Sequence, residues 1–321
     1  MPSRSRASGW REPMVKHDRL DAAAAVGMLG LCALWGLSHV AVKVANSGIS
    51  PAFQSGLRSA GALAVLLVWT TLRGIPLFTR DGTLKVGTIA GALFAAEFAL
   101  IYWALVFTDV ARGILFIYTT PFFVALGAHI FVPGERIGRT QALGLLCAFA
   151  GIVVAFWDGL SLPSARALIG DAMMVAAATL WGATTVLVKA SKLARIEPAK
   201  TLAYQLAVSA VTLIFGAWLA GEAGIFAPTP LVLGSLAFQI LIVASFSYLA
   251  WFALIRIYPA STLSTFTFLT PLFSMIFGAT LLGERVSAAL ALALVLVAIG
   301  IWLVNRPRPV SGAATVSLPA P

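Results

Sequence analysis

One carboxylate, Glu97, stands in a run that is otherwise apolar except for two aromatic polar groups. The run reads ALFAAEFALIYWAL, from Ala92 to Leu105, and its other polar atoms are the Tyr102 hydroxyl and the Trp103 indole nitrogen. If this run crosses a bilayer, an ionised carboxylate near its centre costs about 3 kcal/mol on insertion scales. We expect such a group to face a water-accessible cavity, as a substrate ligand, a proton site or the partner of a cation. The alternative is a structural ion pair or a protonated, hydrogen-bonded core acid.

Two arginines within the apolar segments are candidates for binding an anion. Counting the helical rise from the segment ends places Arg58 and Arg112 on the outward side of Glu97. Because a guanidinium binds a carboxylate through a forked pair of hydrogen bonds, these arginines could form a vestibule that draws a carboxylate toward the middle of the membrane. Alternatively each arginine extends to lipid headgroups, or Arg112 pairs with Asp109 one turn away.

A histidine and several aromatic residues complete the candidate site. His39 would titrate near neutral pH and could carry a coupling proton, although a lone histidine in an apolar segment is more often a hydrogen-bonded packing residue. Four aromatic side chains could line an apolar cavity or serve as packing and interfacial anchors, namely Trp35, Tyr118, Trp181 and Tyr248.

The sequence carries no motif typical of an active site or of a bound cofactor. The nucleophile pattern GxSxG, the metal-binding pattern HExxH and the phosphate-cradling GxxxxGK[ST] do not occur. The three histidines are dispersed, and the His, Cys and acidic residues do not have metal-ligand spacing. We therefore expect no catalytic residue, no metal, no cofactor and no nucleotide hydrolysis.

The composition is that of an integral membrane protein. Sixty per cent of the 321 residues are hydrophobic and 11 per cent are charged, against about a quarter charged in a soluble domain. The apolar residues form continuous blocks of helix-spanning length, without the strict alternation of a membrane barrel. The prediction is an all-α membrane fold with ten transmembrane helices, near 22–42, 53–72, 86–107, 110–131, 139–157, 169–189, 200–220, 231–255, 260–282 and 287–304.

The distribution of basic residues predicts the orientation of the chain. Most of the 22 Lys and Arg fall in the tails and the even-numbered loops. The positive-inside rule then places both termini in the cytoplasm, with 1–21 and 305–321 as cytoplasmic tails. The basic charge has anionic lipid headgroups as its partner, and not nucleic acid. Lys43 and Lys189, at the ends of the first and sixth spans, are expected to be headgroup anchors.

The two halves of the sequence repeat each other. LWGLSHVAVK, from Leu34 to Lys43, recurs as LWGATTVLVK, and TPFFVALGAHIFVPGER, from Thr120 to Arg136, recurs as TPLFSMIFGATLLGER. The matches are collinear, so we divide the chain into two five-span halves, 22–157 and 169–304, joined by a linker over 158–168. Because five is odd, the second half must enter the membrane in the opposite orientation to the first, as in inverted-topology repeats.

Each half has a Thr-Pro pair in the middle of its fourth span. Pro121 follows Thr120, and Pro271 occupies the matching place in the second half. Proline frees the carbonyl four residues back, here that of Ile117 and that of Thr267. Matching interruptions in inverted repeats indicate a binding site near the midplane. A plain kink accommodated by packing is the alternative for either proline alone.

Taken in order, these features resemble the drug/metabolite transporter superfamily, and within it the EamA group. The resemblance rests on the LWG…K segment that opens each half, the Thr-Pro of each fourth span and the GER before each closing span, and it covers roughly Ala22 to Val304. It implies a monomeric or weakly dimeric carrier of the inner membrane that works by alternating access around a central cavity. Members of this group often export amino acids or related metabolites.

From the residues and the resemblance together we expect a secondary transporter that exports a small organic metabolite, an amino acid or related carboxylate. Glu97 would either hold a proton that couples transport or bind the amino group of the substrate. Its expected partners are the small-molecule substrate, protons as a candidate coupling ion, and membrane lipids. A membrane-embedded enzyme or a non-transporting membrane subunit is the alternative.

Overall fold

The computed structural model describes residues 20–160, 164–283 and 289–306, and the regular elements named within them are all helical. Nine stretches of this part of the chain are long and apolar enough to cross a membrane, and Leu290–Val304 is a shorter apolar helix. The elements are α1 (Ala22–Ala45), α2 (Pro51–Leu72), α3 (Leu84–Ala104), α4 (Val110–Ile117), α5 (Thr120–Phe131), α6 (Arg139–Phe156), α7 (Ala165–Ala190), α8 (Pro198–Leu219), α9 (Pro230–Phe238), a π-helical segment (Gln239–Ser247), α10 (Tyr248–Ile257), α11 (Ala260–Phe266), α12 (Leu269–Leu282) and α13 (Leu290–Val304).

The first nine predicted spans are confirmed as helical stretches of sufficient length. The fourth span consists of α4 and α5, the eighth of α9, the π segment and α10, and the ninth of α11 and α12. The tenth, predicted over 287–304, is a helix of 15 residues in the described part of the chain, short of the roughly 20 that a bilayer requires. Most of both predicted tails, and the Glu284 and Arg285 of the second GER, lie outside the described residues.

Several helices begin where local chemistry favours a start. The Asp21 carboxylate accepts a hydrogen bond from the backbone N–H of Ala24 and so caps α1, and the Ser164 side chain caps α7. Pro51 and Pro198 occupy the first turns of α2 and α8, where their missing N–H costs no helix hydrogen bond.

Both Thr-Pro pairs interrupt their spans, as the sequence predicts. In the fourth span the helix is interrupted between Ile117 and Thr120. There the hydroxyl of Thr120 donates to the carbonyl of Ile117 at 2.7 Å, which satisfies the carbonyl that Pro121 leaves free. In the ninth span the break lies between α11 and α12, and the carbonyl of Thr267 instead accepts from the backbone N–H of Thr270 at 3.0 Å.

Two close helix contacts depend on glycine at the matching LWG positions. α1 packs against α12, and α7 packs against α5. A Cβ on Gly36 would lie 2.6 Å from the Cβ of Phe273, and a Cβ on Gly182 would lie 2.7 Å from the Cβ of Phe123. Both separations are too short for a side chain, so the two broken spans approach α1 and α7 as closely as glycine allows.

The GxxxG of α3 also serves packing within the chain. A Cβ on Gly87 would meet the ring of Tyr204, and one on Gly91 would meet Val208 and the Tyr204 carbonyl. These contacts seat α3 on α8. The remaining large helix contacts are those of α2 with α8, α3 with α7, and α6 with α13.

The bundle has two ends, which we call the first face, where α1 begins, and the second face, where α1 ends. On the first face the backbone N–H of Leu20 donates to Asn305 at 3.3 Å, and the Tyr258 hydroxyl donates to Asp21 at 2.8 Å. Asp21 raises the pKa of Tyr258, because an ionised phenol would lose this hydrogen bond and stand beside the carboxylate.

On the second face two loops are joined through their backbones. Ile49 forms an isolated antiparallel bridge with Ile225, and the N–H of Ser50 donates to the carbonyl of Gly224 at 2.9 Å. The loop between α1 and α2 is therefore tied to the loop between α8 and α9.

Lys189 is not the headgroup anchor that the sequence suggests. Its side chain is 5% exposed and its ammonium donates to the carbonyls of Tyr258 and Ile255. The carboxylate of Glu135 lies 3.9 Å away. The prediction is wrong because the end of α7 is covered by neighbouring elements, which a position near the end of a span does not reveal.

The eighth span contains a long π-helical segment, Gln239–Ser247, that the sequence did not predict. The Ser245 hydroxyl donates to the carbonyl of Ile240, five residues back, at 2.7 Å. π-Helical turns are rare and are frequently found at functional sites. The segment ends immediately before Tyr248, which belongs to the site described next.

Candidate functional site

Glu97 of α3 and Arg58 of α2 lie close together in the interior of the bundle. Each is 5% exposed, and the two are near enough for the charge of Arg58 to act on the Glu97 carboxyl group. The Arg58 guanidinium lies over the ring of Phe98, 4.5 Å from its centroid, and one of its nitrogens donates to the Ser55 hydroxyl at 3.4 Å. Phe98 and Ser55 therefore fix the guanidinium beside Glu97.

Three buried polar atoms of this region have no hydrogen-bond partner among the described residues. They are Oε2 of Glu97, Nε of Arg58 and the hydroxyl of Thr270. Leaving a buried polar atom without a partner costs about 1–3 kcal/mol, and more when the group is charged. Such atoms are retained where water or a ligand supplies the missing bond, so these residues are candidates for binding a solute.

Two tyrosines lie near the pair, and a third lies near one of these two. Tyr102 and Tyr248 both lie within electrostatic range of Arg58, and Tyr118 lies within range of Tyr248. We call the five residues Arg58, Glu97, Tyr102, Tyr118 and Tyr248 the central cluster. Its members come from α2, α3, the junction of α4 with α5, and α10, so several helices must pack together to assemble it.

Aromatic contacts extend the central cluster on two sides. The indole N–H of Trp35 donates to the Ser247 hydroxyl at 2.9 Å, and its ring meets Trp251 edge-on at 5.5 Å. On the other side the ring of Trp181 meets Tyr118 edge-on at 6.4 Å. The tryptophans of the two LWG segments thus flank the cluster through contacts of different kinds.

His39 is an exposed residue of α1. On α1 it follows Trp35 by four residues and Cys32 by seven, so the three side chains share one helix face. That face is turned toward the middle of the bundle, because Trp35 contacts the π segment there.

Arg112 belongs to a different site, near the second face. Its guanidinium forms a buried ion pair with Asp171 of α7, through Nη2 to one carboxylate oxygen and through Nε to the other at 3.3 Å. The hydroxyl of Thr108 donates to the same carboxylate at 2.7 Å. The structure therefore gives Arg112 a partner, Asp171, that the sequence prediction did not consider.

Thr120, Pro121 and Pro271 shape the backbone at the two breaks. All three are buried. The Thr120 hydroxyl is engaged with two carbonyls, those of Ile117 and Ala178. These residues act on the site through the course of the helices, and their role as solute contacts stays a prediction.

Several residues of the site were missed in the sequence. Ser55, Phe98 and Thr270 are ordinary helix residues by type and position, so no sequence signal distinguishes them. Asp171 is different, because it is an acidic residue within an apolar span and the reasoning that identified Glu97 would have identified it too. Among the residues that the structure describes, no three His, Cys, Asp or Glu side chains are grouped closely enough to hold a metal ion.

Comparison with known proteins gives a consistent result. Residues 22–157 and 168–306 match the model of the EamA-like transporter family. The uncharacterized transporter YoaV of Bacillus subtilis is 26% identical over 280 residues, which cover 87% of this chain and 95% of that one. An uncharacterized transporter of Archaeoglobus fulgidus is 25% identical over 277 residues, covering 86% and 94% of the two chains.

A protein of known crystal structure shares the fold. It superimposes with a TM-score of 0.77 at 19% identity, over 88% of this chain and 96% of that one. Together with the apolar helices, the family match identifies a transporter that passes through the membrane several times. The chain belongs to the EamA-like transporter family.

Proposed function

We propose that the protein is a secondary transporter that moves a small organic metabolite, an amino acid or related carboxylate, through the central cluster. The observation that carries the proposal is the buried pair of Glu97 and Arg58, each with a polar atom that lacks a hydrogen-bond partner among the described residues. An ammonium group would donate the hydrogen bond that Glu97 lacks, and a carboxylate would accept the hydrogen bond that Arg58 can donate. One zwitterion offers both groups.

The charge balance of the cluster favours a solute without net charge. Glu97 and Arg58 carry opposite formal charges, and Arg112 is already paired with Asp171. A zwitterion leaves this balance unchanged, whereas a simple anion or cation would add an uncompensated charge to a buried site. Glu97 has a second candidate role, which is to hold a proton that couples transport. Arg112 is the weaker candidate ligand for a carboxylate, because its guanidinium is occupied.

The transport cycle we propose is alternating access between two inverted halves of five helices each, 22–157 and 169–304, with 158–168 as linker. Support comes from the directions of α1 and α7, which carry the matching LWG segments. α1 begins at the first face, whereas α7 ends there, since Lys189 reaches Tyr258. The breaks at Pro121 and Pro271 give each half a hinge in its fourth span.

We place the protein in the cell membrane, the inner membrane where there are two, with both termini in the cytoplasm and export as the direction of transport. The basic residues of the tails and even-numbered loops support this orientation. The first face is then the cytoplasmic one. A monomer or weak homodimer is sufficient, because the central cluster is built from a single chain.

The test is solute flux in proteoliposomes, comparing the parent protein with Glu97→Gln and with Glu197→Gln as a matched control at an exposed carboxylate. Vesicles preloaded with labelled amino acids and small organic acids are followed with and without a pH gradient. Glu97→Gln should insert and fold at least as well as the parent, because a neutral amide is cheaper to bury, and should lose flux. The control should retain it.

The pattern of loss assigns the role of Glu97. If the substitution removes only the acceleration by a pH gradient, Glu97 is the proton site. If movement itself disappears, Glu97 is a ligand or a gate. Near-normal flux of Glu97→Gln at equal abundance in the vesicles would contradict the proposal, and so would a parent protein that moves no solute in a broad panel.

A further inference from the structure

Two opposite charges meet at the first face, where α10 turns into α11. Glu135, in the loop between α5 and α6, accepts hydrogen bonds from the backbone N–H groups of Ala260 at 3.1 Å and Ser261 at 3.4 Å. These are the first two residues of α11, whose N–H groups have no partner within the helix. The Glu135 carboxylate thus caps α11 from the other half of the chain, with the charge that a helix N-terminus favours.

Lys189, at the end of α7, binds the other helix of the same turn, at the end of α10. Its ammonium donates to the carbonyls of Tyr258, at 2.7 Å, and of Ile255, in the last turn of α10. A cation is the favoured partner of the carbonyls at a helix C-terminus. Since Glu135 and Lys189 also face each other at 3.9 Å, the pair joins the end of one helix to the start of the next.

We propose that Glu135 and Lys189 form the gate of the first face, which is closed in this structure and separates to release or admit the solute. We call this pair the first-face latch. The proposal rests on the proposed transport function and adds the residues that control access to the central cluster from one side. In the closed state the latch holds the α10–α11 corner against the α5–α6 loop.

Both helices that meet at this corner, α10 and α11, lead from the latch into the interior of the bundle. α10 begins at Tyr248, a member of the cluster, and runs to the latch. α11 runs from the latch for about 10 Å, at 1.5 Å per residue, to Phe266, whose carbonyl accepts from the thiol of Cys32. A displacement of the corner therefore moves the walls of the solute site, so the latch and the site must change together.

The chemistry of the latch suits a contact that opens repeatedly. The side chains of Glu135 and Lys189 are 9% and 5% exposed. When they separate, water can solvate both charges and the backbone groups they release, which offsets much of the lost interaction.

The test uses Cys32 as a reporter of opening. The chain has two cysteines, so Cys147→Ala leaves Cys32 alone, and Cys32 is fully buried on the face of α1 that meets α11. N-ethylmaleimide labelling in lipid nanodiscs then measures the open population. In the Cys147→Ala background, Glu135→Gln should make Cys32 react about tenfold faster, a factor that corresponds to about 1.4 kcal/mol. The reason is that the amide caps α11 more weakly and no longer attracts Lys189.

Asp81→Asn is the matched control. Asp81 binds Lys200 at 2.8 Å on the same face, but that pair joins the α2–α3 loop to α8, on which α3 is tightly seated. Its loss should leave Cys32 labelling unchanged. Tyr258→Phe is a milder second variant that removes only the hydroxyl donated to Asp21 and should give a smaller acceleration than Glu135→Gln.

Flux measured on the same variants separates the two proposals. The gate predicts that Glu135→Gln labels faster and transports more slowly, since the state closed at the first face is less populated. Equal labelling of Glu135→Gln, Tyr258→Phe and the parent, in folded protein, would overturn the gate. So would faster labelling with unchanged flux. A parent that moves no solute counts against the transport proposal, while the labelling comparison still decides the latch.

Discussion

Replacing Asp171 by Asn is expected to destabilise the folded protein by about 3–5 kcal/mol. The Asp171 carboxylate accepts from Thr108 at 2.7 Å and from Nε of Arg112 at 3.3 Å, and its second oxygen binds the same guanidinium. Asp171 is 5% exposed and Arg112 is 8% exposed. An amide still accepts one hydrogen bond, but it removes the buried anion that faces the guanidinium, and this electrostatic loss makes up most of the expected change.

The free energy of unfolding is measurable by titrating detergent-solubilised protein with a denaturing detergent and following tryptophan fluorescence. Asp158→Asn is the control, because Asp158 is an exposed carboxylate in the loop that precedes α7. A change below about 1 kcal/mol for Asp171→Asn, the size of a surface ion pair, would refute the reasoning. It would mean that water screens the pair in spite of its burial.

A double variant decides what Arg112 does. Arg112→Met combined with Asp171→Leu removes both charges, and apolar replacements of a buried pair are often nearly neutral. Most of the stability lost in Asp171→Asn should therefore return. If the folded double variant retains solute flux, Arg112 is a structural link between α4 and α7. Loss of flux in a stable double variant would return Arg112 to the solute pathway.

Two further predictions concern hydrogen bonds of known geometry. Thr120→Val should lower stability by about 1 kcal/mol, because it removes the hydroxyl that donates to the Ile117 carbonyl. Thr270→Val should cost less, because the buried Thr270 hydroxyl has no partner among the described residues. Equal losses of stability in thermal unfolding would contradict this. Lys200 holds the pKa of Asp81 below its ordinary value, so the stability that Lys200→Met removes should be largest above about pH 4 and should shrink as the pH falls toward the lower folded pKa. Thermal unfolding of the parent and of Lys200→Met, measured from pH 7 to pH 3, tests this. A stability difference between the two proteins that grows as the pH falls would contradict the prediction.

Hydropathy and proline position were sufficient to predict most of the fold. The length of an apolar block determines whether it can span a membrane, and a proline in a helix interior must free a carbonyl. Both rules act within one segment. They therefore predicted nine helical stretches of spanning length and the two breaks before Pro121 and Pro271 without knowledge of any neighbour.

Contacts between segments were much harder to predict. Arg112 meets Asp171, and Lys189 meets Glu135, because of how each helix is rotated about its axis and shifted along it. Hydropathy carries almost no information on rotation when a helix is apolar on all sides. Glu97 was identifiable from the cost of its charge alone, but its neighbour Phe98 was not, because nothing about a phenylalanine in an apolar helix is unusual.

The π segment Gln239–Ser247 makes the eighth span a place where insertions and deletions have an unusual effect. An α-helix turns 3.6 residues per revolution, so each residue gained or lost rotates everything beyond it by about 100°. In wide π turns a deleted residue can be absorbed by a return to α-helical geometry, without breaking the span. Tyr248, the residue after the segment, would then keep its direction. A one-residue deletion here would thus leave the lining of the central cluster in place, whereas the same deletion in an ordinary α-helical span would turn the residues beyond it.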